Sequence, residues 1–228
     1  MVKHNLIRDI LWISLLLLIT AALVLPQTHQ VFVQWSNNYP YWMGFLKFAI
    51  LASMGEFLAL RLAHHTWKRP VGMIYKIIVW GVIGMLITFM FSFYSKGVNA
   101  ITEQGRLTLG NGLLSTIYTA FLTSAIMNLT FGIVFMAMHR ISDTYIEMRV
   151  NHKKPSLKEL VRNIDWNAFI TFVVFKTIPL FWIPAHTITF TLPAQYRVLV
   201  AAYLSIVLGV ILVYSNKKQK TIDRDLLG

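Results

Sequence analysis

Residues 41–62 read YWMGFLKFAILASMGEFLALRL, a run in which Lys47, Glu56 and Arg61 are the only charged side chains. A helix rising about 1.5 Å per residue needs about 20 mostly apolar residues to cross a hydrocarbon core of about 30 Å. Five more such runs lie on either side. They are residues 10–25, closed by Pro26; 77–94; 113–138; 166–192, interrupted by Pro179 and Pro184; and 198–214, ending at Asn216-Lys217-Lys218. Connections are short apart from the basic segment 139–165, and there is no internal repeat, low-complexity tract or linker. The reading is an all-α membrane bundle of six spans, one domain over residues 1–228, with the fifth helix broken by its prolines. Composition agrees: 56% of the residues are hydrophobic and 13% charged, against about 25% charged in ordinary soluble domains.

A formal charge of +12 could point to nucleic acid, so its distribution decides. Threading six spans puts sixteen of the 21 Lys and Arg on the side of the N-terminus, including Arg61, Lys68, Arg69, Lys76, Arg140 and Arg149. Lys96, Arg106 and Arg197 fall on the other side, while Lys47 and Lys176 lie within spans. This positive-inside bias predicts both termini in the cytoplasm and accounts for the charge without nucleic acid. The first run follows Lys3 and Arg8 as a signal peptide would, but Thr20-Ala21-Ala22 is a poor cleavage site and the residues after it stay apolar. A retained anchor is the better reading. Cysteine is absent, which excludes disulfides and Cys-based metal sites or nucleophiles.

Glu56 is the only carboxylate inside an expected span. A charge at that depth is costly in lipid and normally faces protein or water. Ala49, Ala52, Ser53, Ala59 and Ala63 share its helical face, so Glu56 is expected to point into the bundle beside a small-residue stripe. Counted along their spans, Glu56 and Lys176 lie about 7 Å and about 5 Å from the midplane on the same side. Lys176 is therefore one expected partner, and Arg61, one turn away, competes. Pro179 and Pro184 leave the carbonyls of Phe175 and Leu180 without helical donors. Either a kink or a water-lined cavity answers that; in the cavity case His186 is reachable from outside. Thr116, Thr119, Thr123 and Thr130, with Asn128 nearby, stripe the fourth span, and read as interhelical hydrogen bonding or an aqueous path. Gly81, Gly84, Thr88 and Ser92, and Ala201, Ser205 and Gly209, read as packing stripes.

No G-x-S-x-G, Walker loop, H-E-x-x-H or dinucleotide glycine pattern occurs, so no enzyme activity, cofactor or metal is expected. His64 and His65 point about 100° apart on a helix. His139, Asp143 and Glu147 share one face but read as a solvated juxtamembrane surface.

Pro40 followed by Gly55-Glu56 resembles the opening signature of the family of mitochondrial inner-membrane Mpv-seventeen and peroxisomal membrane protein twenty-two. That signature is a proline, an apolar run, then Gly-Asp. Its glutamine a turn later is Leu60-Arg61 here. Toward the C-terminus, Ile183-Pro184, Thr189-Phe190, Leu192-Pro193 and Tyr196-Arg197 follow the order of the family's second signature, with its asparagine replaced. The resemblance implies a divergent bacterial relative of small membrane proteins proposed to form weakly selective pores, in a family drawn with four spans. It carries over Pro40, Gly55, Glu56, Pro193, Tyr196 and Arg197 as signature residues only.

The sequence thus favours a multi-pass protein of the bacterial inner membrane, acting as a small-solute channel or carrier near Glu56, Lys176, Lys47, Arg61 and His186. The alternative is a non-catalytic scaffold, assembly or stress factor. The expected partners are lipid, a small solute and, as a candidate, further copies of the chain. Because the chain lacks cysteine, single replacements report topology directly. Asn37→Cys and Glu103→Cys should react with an impermeant maleimide in intact cells, and Lys154→Cys only after permeabilisation. Labelling of position 103 only after permeabilisation would reverse the assignment.

Overall fold

A bilayer offers no partner to a backbone N–H, so each crossing segment closes its own hydrogen bonds as a helix. The computed structural model describes residues 2–105, 112–151 and 154–227, and among these every regular element is helical. Arg106 and Lys153 lie outside the described residues.

Prolines and glycines set the boundaries. Helix α1 (Val2–Val24) stops where Leu25 turns to an extended backbone. Pro26 then opens α2 (Pro26–Asn38) and Pro40 opens α3 (Pro40–His64). Proline suits a first helical position because the N–H it lacks would be unpaired there. Gly72, at φ 68°, precedes α4 (Met73–Glu103), and Gly112, at φ 97°, precedes α5 (Leu113–Val150). Helix α6 (Leu157–Asn163) starts with a capping box: Ser156 Oγ accepts the Glu159 N–H, and the Glu159 carboxylate accepts the Ser156 N–H at 2.7 Å. Helices α7 (Trp166–Thr191) and α8 (Ala194–Leu227) complete the chain.

Six helices, α1, α3, α4, α5, α7 and α8, are long and apolar enough to cross a membrane, as expected. The alternation of crossings gathers residues 65–72, 154–165 and the start of α1 at one face, hereafter the basic face. Residues 25–39, 104–105, 112 and 192–193 lie at the far face. Several boundaries differ from the sequence reading, the first span beginning at Val2 and the third extending past Tyr94 to Glu103 among them. Pro26 starts a short helix rather than a loop, the fourth span stays helical past Met138 to Val150, and α8 runs through Lys217.

Helix α3 is the centre. It packs chiefly on α4 and α8, while α5 packs on the C-terminal part of α7. Phe48, Leu51, Ala52 and Met54 of α3 join Ile83, Ile87 and Phe91 of α4 and Ala201, Ala202 and Ile206 of α8 in one core. The small residues decide how close these helices come. A Cβ on Gly44 would lie 2.6 Å from the Gly84 carbonyl oxygen, and a Cβ on Gly84 would collide with the Gly44 carbonyl oxygen. On the opposite flank, a Cβ on Gly55 would lie 3.0 Å from the Ile206 Cα. The expected stripe around Ala49, Ala52 and Ser53 is buried, whereas Ala63 is exposed at the helix end. Helix α1 sits outside this core. Trp12 Nε1 donates to the Met54 carbonyl at 3.2 Å, and the Thr20 and Tyr203 hydroxyls share a 2.8 Å hydrogen bond.

Overpacking a tight contact costs about 1–3 kcal/mol, whereas glycine to alanine on an exposed helix face gains up to about 1 kcal/mol. Gly84→Ala should therefore lower the melting temperature in detergent, while Gly97→Ala, with nothing within 4 Å of its Cβ, should keep or raise it. Equal behaviour of the two variants would contradict the close crossing of α3 and α4.

Candidate functional site

Polar groups are distributed in three layers between the faces. At the basic face, Lys76 Nζ donates to Glu56 Oε1 at 2.6 Å and to Glu147 Oε1 at 3.4 Å. The Lys76 side chain is 8% exposed and that of Glu56 23%. Glu56 therefore points inward as expected, but toward α4 rather than Lys176 or Arg61. Depth along a span says nothing about direction around it, and α3 packs against α4. Lys176 lies on an exposed face of α7 and makes no hydrogen bond or ion pair among the described residues. Arg61 is taken by Asp9 of α1, through Nε at 2.9 Å and Nη2 at 2.8 Å, and Trp67 Nε1 donates to the same carboxylate at 2.8 Å. Glu56 is thus joined by Asp9, and by Glu103, Asp143 and Glu147 near the ends of α4 and α5, as a carboxylate within a spanning helix.

The expected solvated face of His139, Asp143 and Glu147 turns inward in part. His139 lies against Trp80, ring centroids 4.3 Å apart, and its Nε2 is 3.7 Å from Asp143 Oδ2. Among the described residues no group of three or more His, Asp or Glu side chains is arranged to hold a metal ion.

The middle layer joins α5 to α7. Ser124 Oγ donates to the Ile183 carbonyl at 2.7 Å. Asn128 Nδ2 donates to the Ser124 carbonyl at 2.8 Å and lies 3.1 Å from His186 Nδ1. Trp182 stacks on the His186 ring and Phe91 meets it edge-on. His186 is only 7% exposed, so it is not reachable from outside as the cavity reading required. Nor is α7 broken. Residues Phe169–Trp182 wind with i→i+5 hydrogen bonds and Pro184 sits in the first turn of the α-helical stretch that follows. The wider winding moves the carbonyl deprived by Pro179 from Phe175 to Val174. Phe175 and Leu180 are 69% and 75% exposed on the outer surface of the bundle. Asn128 opens a second i→i+5 segment, Asn128–Gly132, in α5. Such winding is rare and frequently found at functional sites.

At the far face lie two cavities that share Arg197. The larger, about 420 Å³, is lined mainly by hydroxyl and amide side chains, among them Ser95, Asn99, Ser115, Thr116, Thr119 and Thr123. Thr123, at 2% exposure, is the deepest of these along α5, and Ser124 follows it into the middle layer. Thr130 departs from the stripe: it is exposed and bonded to the Tyr94 hydroxyl at 2.8 Å. The smaller cavity, about 180 Å³, is lined by residues of α2, α3, α4 and α8, including Lys47 and Arg197.

The remaining signature positions do separate jobs. Pro40 opens α3, Gly55 admits α8, Pro193 lies between α7 and α8, and the Tyr196 hydroxyl meets His29 Nε2 at 2.9 Å. Lys76 was missed because it counts among the basic residues of a connection. The short α3–α4 link was the available signal, since consecutive elements usually pack together. No protein-family model, curated protein or solved structure matches the chain.

Removing one member of a buried pair costs about 3–5 kcal/mol in soluble proteins, and the partial exposure of Glu56 places Lys76→Met toward the lower end. Glu56→Gln with Lys76→Met should be milder than Lys76→Met alone, and Lys176→Met should melt like the parent. A double-mutant cycle in detergent with strictly additive losses would uncouple Glu56 from Lys76.

Proposed function

We propose that this multi-pass membrane protein is a channel or carrier for small polar solutes, with its path between α4, α5 and α7. The observation that carries the reading is the larger far-face cavity. Hydroxyl and amide side chains gathered around about 420 Å³ suit water and polar solute, whereas a lipid-filled or dry space is better lined by apolar groups. Below Thr123, outside the cavity, the buried polar groups of Ser124, Asn128 and His186 follow along the same direction, packed against the rings of Trp182 and Phe91. The path is then open at the far face and closed below it. The resemblance of residues 40–56 and 183–197 to a family proposed to form weakly selective pores supports the same reading. The basic face is assigned to the cytoplasm and the far face to the outside of a bacterial inner membrane, following the positive-inside bias.

One observation favours the scaffold reading instead. Ser124, Asn128 and His186 satisfy one another across α5 and α7, as residues that only hold helices together would. Flux separates the two. Liposomes containing the purified chain should take up glycerol or urea faster than empty liposomes. Thr116→Trp and Thr119→Trp, which fill the cavity, should reduce that excess at least about tenfold with little change in melting temperature. Proteoliposomes that admit a graded series of neutral and charged small solutes no faster than empty ones would leave the scaffold reading.

A further inference from the structure

The smaller far-face cavity combines two cations with no carboxylate. Lys47 is 8% exposed in α3. Its Nζ donates to Ser36 Oγ at 3.0 Å and to the Gln195 carbonyl at 3.5 Å, and lies 4.7 Å from the centroid of the Phe32 ring. Across the cavity, Arg197 donates through Nε to the Leu192 carbonyl at 2.8 Å and through Nη1 to Ser95 Oγ at 2.9 Å. Among the described residues neither cation forms an ion pair, in contrast to Lys76 and Arg61 at the other face.

A donor count sharpens this. An ammonium offers three N–H groups and a guanidinium five. Two are used on Lys47 and two on Arg197, so four charged N–H groups remain uncommitted. Asn37, Ser92 and Gln195 also line the cavity, and their side chains make no hydrogen bond among the described residues. The starts of α3, at Pro40, and α8, at Ala194, border the same space and add the positive ends of two helix dipoles. The carbonyl end of α2, near Asn37, offsets about half an elementary charge. More than one net positive charge therefore faces a cavity of about 180 Å³.

We propose that this cavity binds a small oxyanion of the phosphate type, held between Lys47 and Arg197. Spread over several oxygens, such an anion accepts from donors on different walls at once, which a lone halide does less well. It also neutralises Lys47, which is desolvated without a counter-ion, beside the half-buried Arg197. The phosphate can be free in solution or belong to a lipid headgroup at the membrane surface. Binding stands apart from the transport reading, because it requires no solute to cross.

The test uses the purified full-length chain in a maltoside detergent, free of phospholipid. Its melting temperature is followed against inorganic phosphate, with ionic strength held constant by the bulky sulfonate HEPES, and separately against short-chain phosphatidylglycerol. A saturable rise with inorganic phosphate, at least tenfold weaker in apparent affinity in Lys47→Met and Arg197→Gln, establishes the site for the free anion. A rise with the phospholipid alone, lost in the same variants, establishes it for a headgroup. No saturable response of the wild-type chain to either probe, or a response unchanged in both variants, overturns the proposal. If those two variants fail to fold, the combined variant Asn37→Ala and Ser92→Ala, which leaves both cations in place, decides. Phosphate affinity weakened severalfold supports the site, and unchanged affinity overturns it.

Discussion

The backbone of α3 touches its neighbours on two flanks, and the rest of the bundle is arranged around that contact. Gly44 and Gly84 let α3 and α4 meet carbonyl to backbone, and Gly55 admits the backbone of α8 at Ile206. Between helices in lipid there is no hydrophobic drive of the aqueous kind, so association depends on van der Waals approach and polar bonds. Small residues provide the first. Once α3 is clasped, the side chains it carries have fixed surroundings, and its two inward-facing charges, Lys47 and Glu56, meet different fates.

Lys47 and Glu56 are nine positions apart, about 13 Å along the axis. Glu56 lies near the basic face, where Lys76 of α4 reaches it and Glu147 of α5 adds a second carboxylate. This cluster ties three helices by charge at the end where α4 and α5 are otherwise less intimately packed. Lys47 lies toward the far face, where α2, α4 and α8 supply hydroxyls, a carbonyl and an aromatic ring but no carboxylate. One end of α3 is therefore electrostatically closed, and the other retains positive charge beside a cavity. The same asymmetry appears in the uncharged groups: hydroxyls border a cavity at the far face, whereas in the middle layer Ser124, Asn128 and His186 are buried and hydrogen-bonded across α5 and α7. Helix α1 is attached through Trp12, Thr20 and the Asp9–Arg61 pair. Loss of its first two turns, which carry Asp9, would leave Arg61 without its carboxylate.

Much of this order was legible in the residues. Runs of about 20 apolar residues located all six spans, because hydrocarbon thickness acts on each segment alone. The glycine and alanine stripes and the inward direction of Glu56 followed from helical spacing, which is also local. Pair identities were not legible. Glu56 with Lys76, Asp9 with Arg61 and Asn128 with His186 depend on which helices adjoin and how each is rotated, and a single sequence constrains both weakly. The prolines of α7 misled for a related reason. An α-helical register implies a break at Pro179, but the residues around it adopt i→i+5 winding, which widens the helix without opening it. Helix α2 escaped because Pro26 serves equally as a stop for one helix and a first residue for the next.

Disulfide cross-linking of α3 to α8 tests the central place of α3 most directly. A Cβ at Gly209 would lie 3.6 Å from the Cβ of Ala59, within the separation of about 3.5–4.5 Å that a disulfide bridges. The chain has no cysteine of its own, so Ala59→Cys with Gly209→Cys gives a signal without background. Mild oxidation in native membranes should join the two positions rapidly and nearly completely, whereas pairing Ala59→Cys with a cysteine at exposed Val207 should give little product. Failure of the 59–209 pair to cross-link, or equal yields from the two pairs, would contradict the packing of α8 along α3.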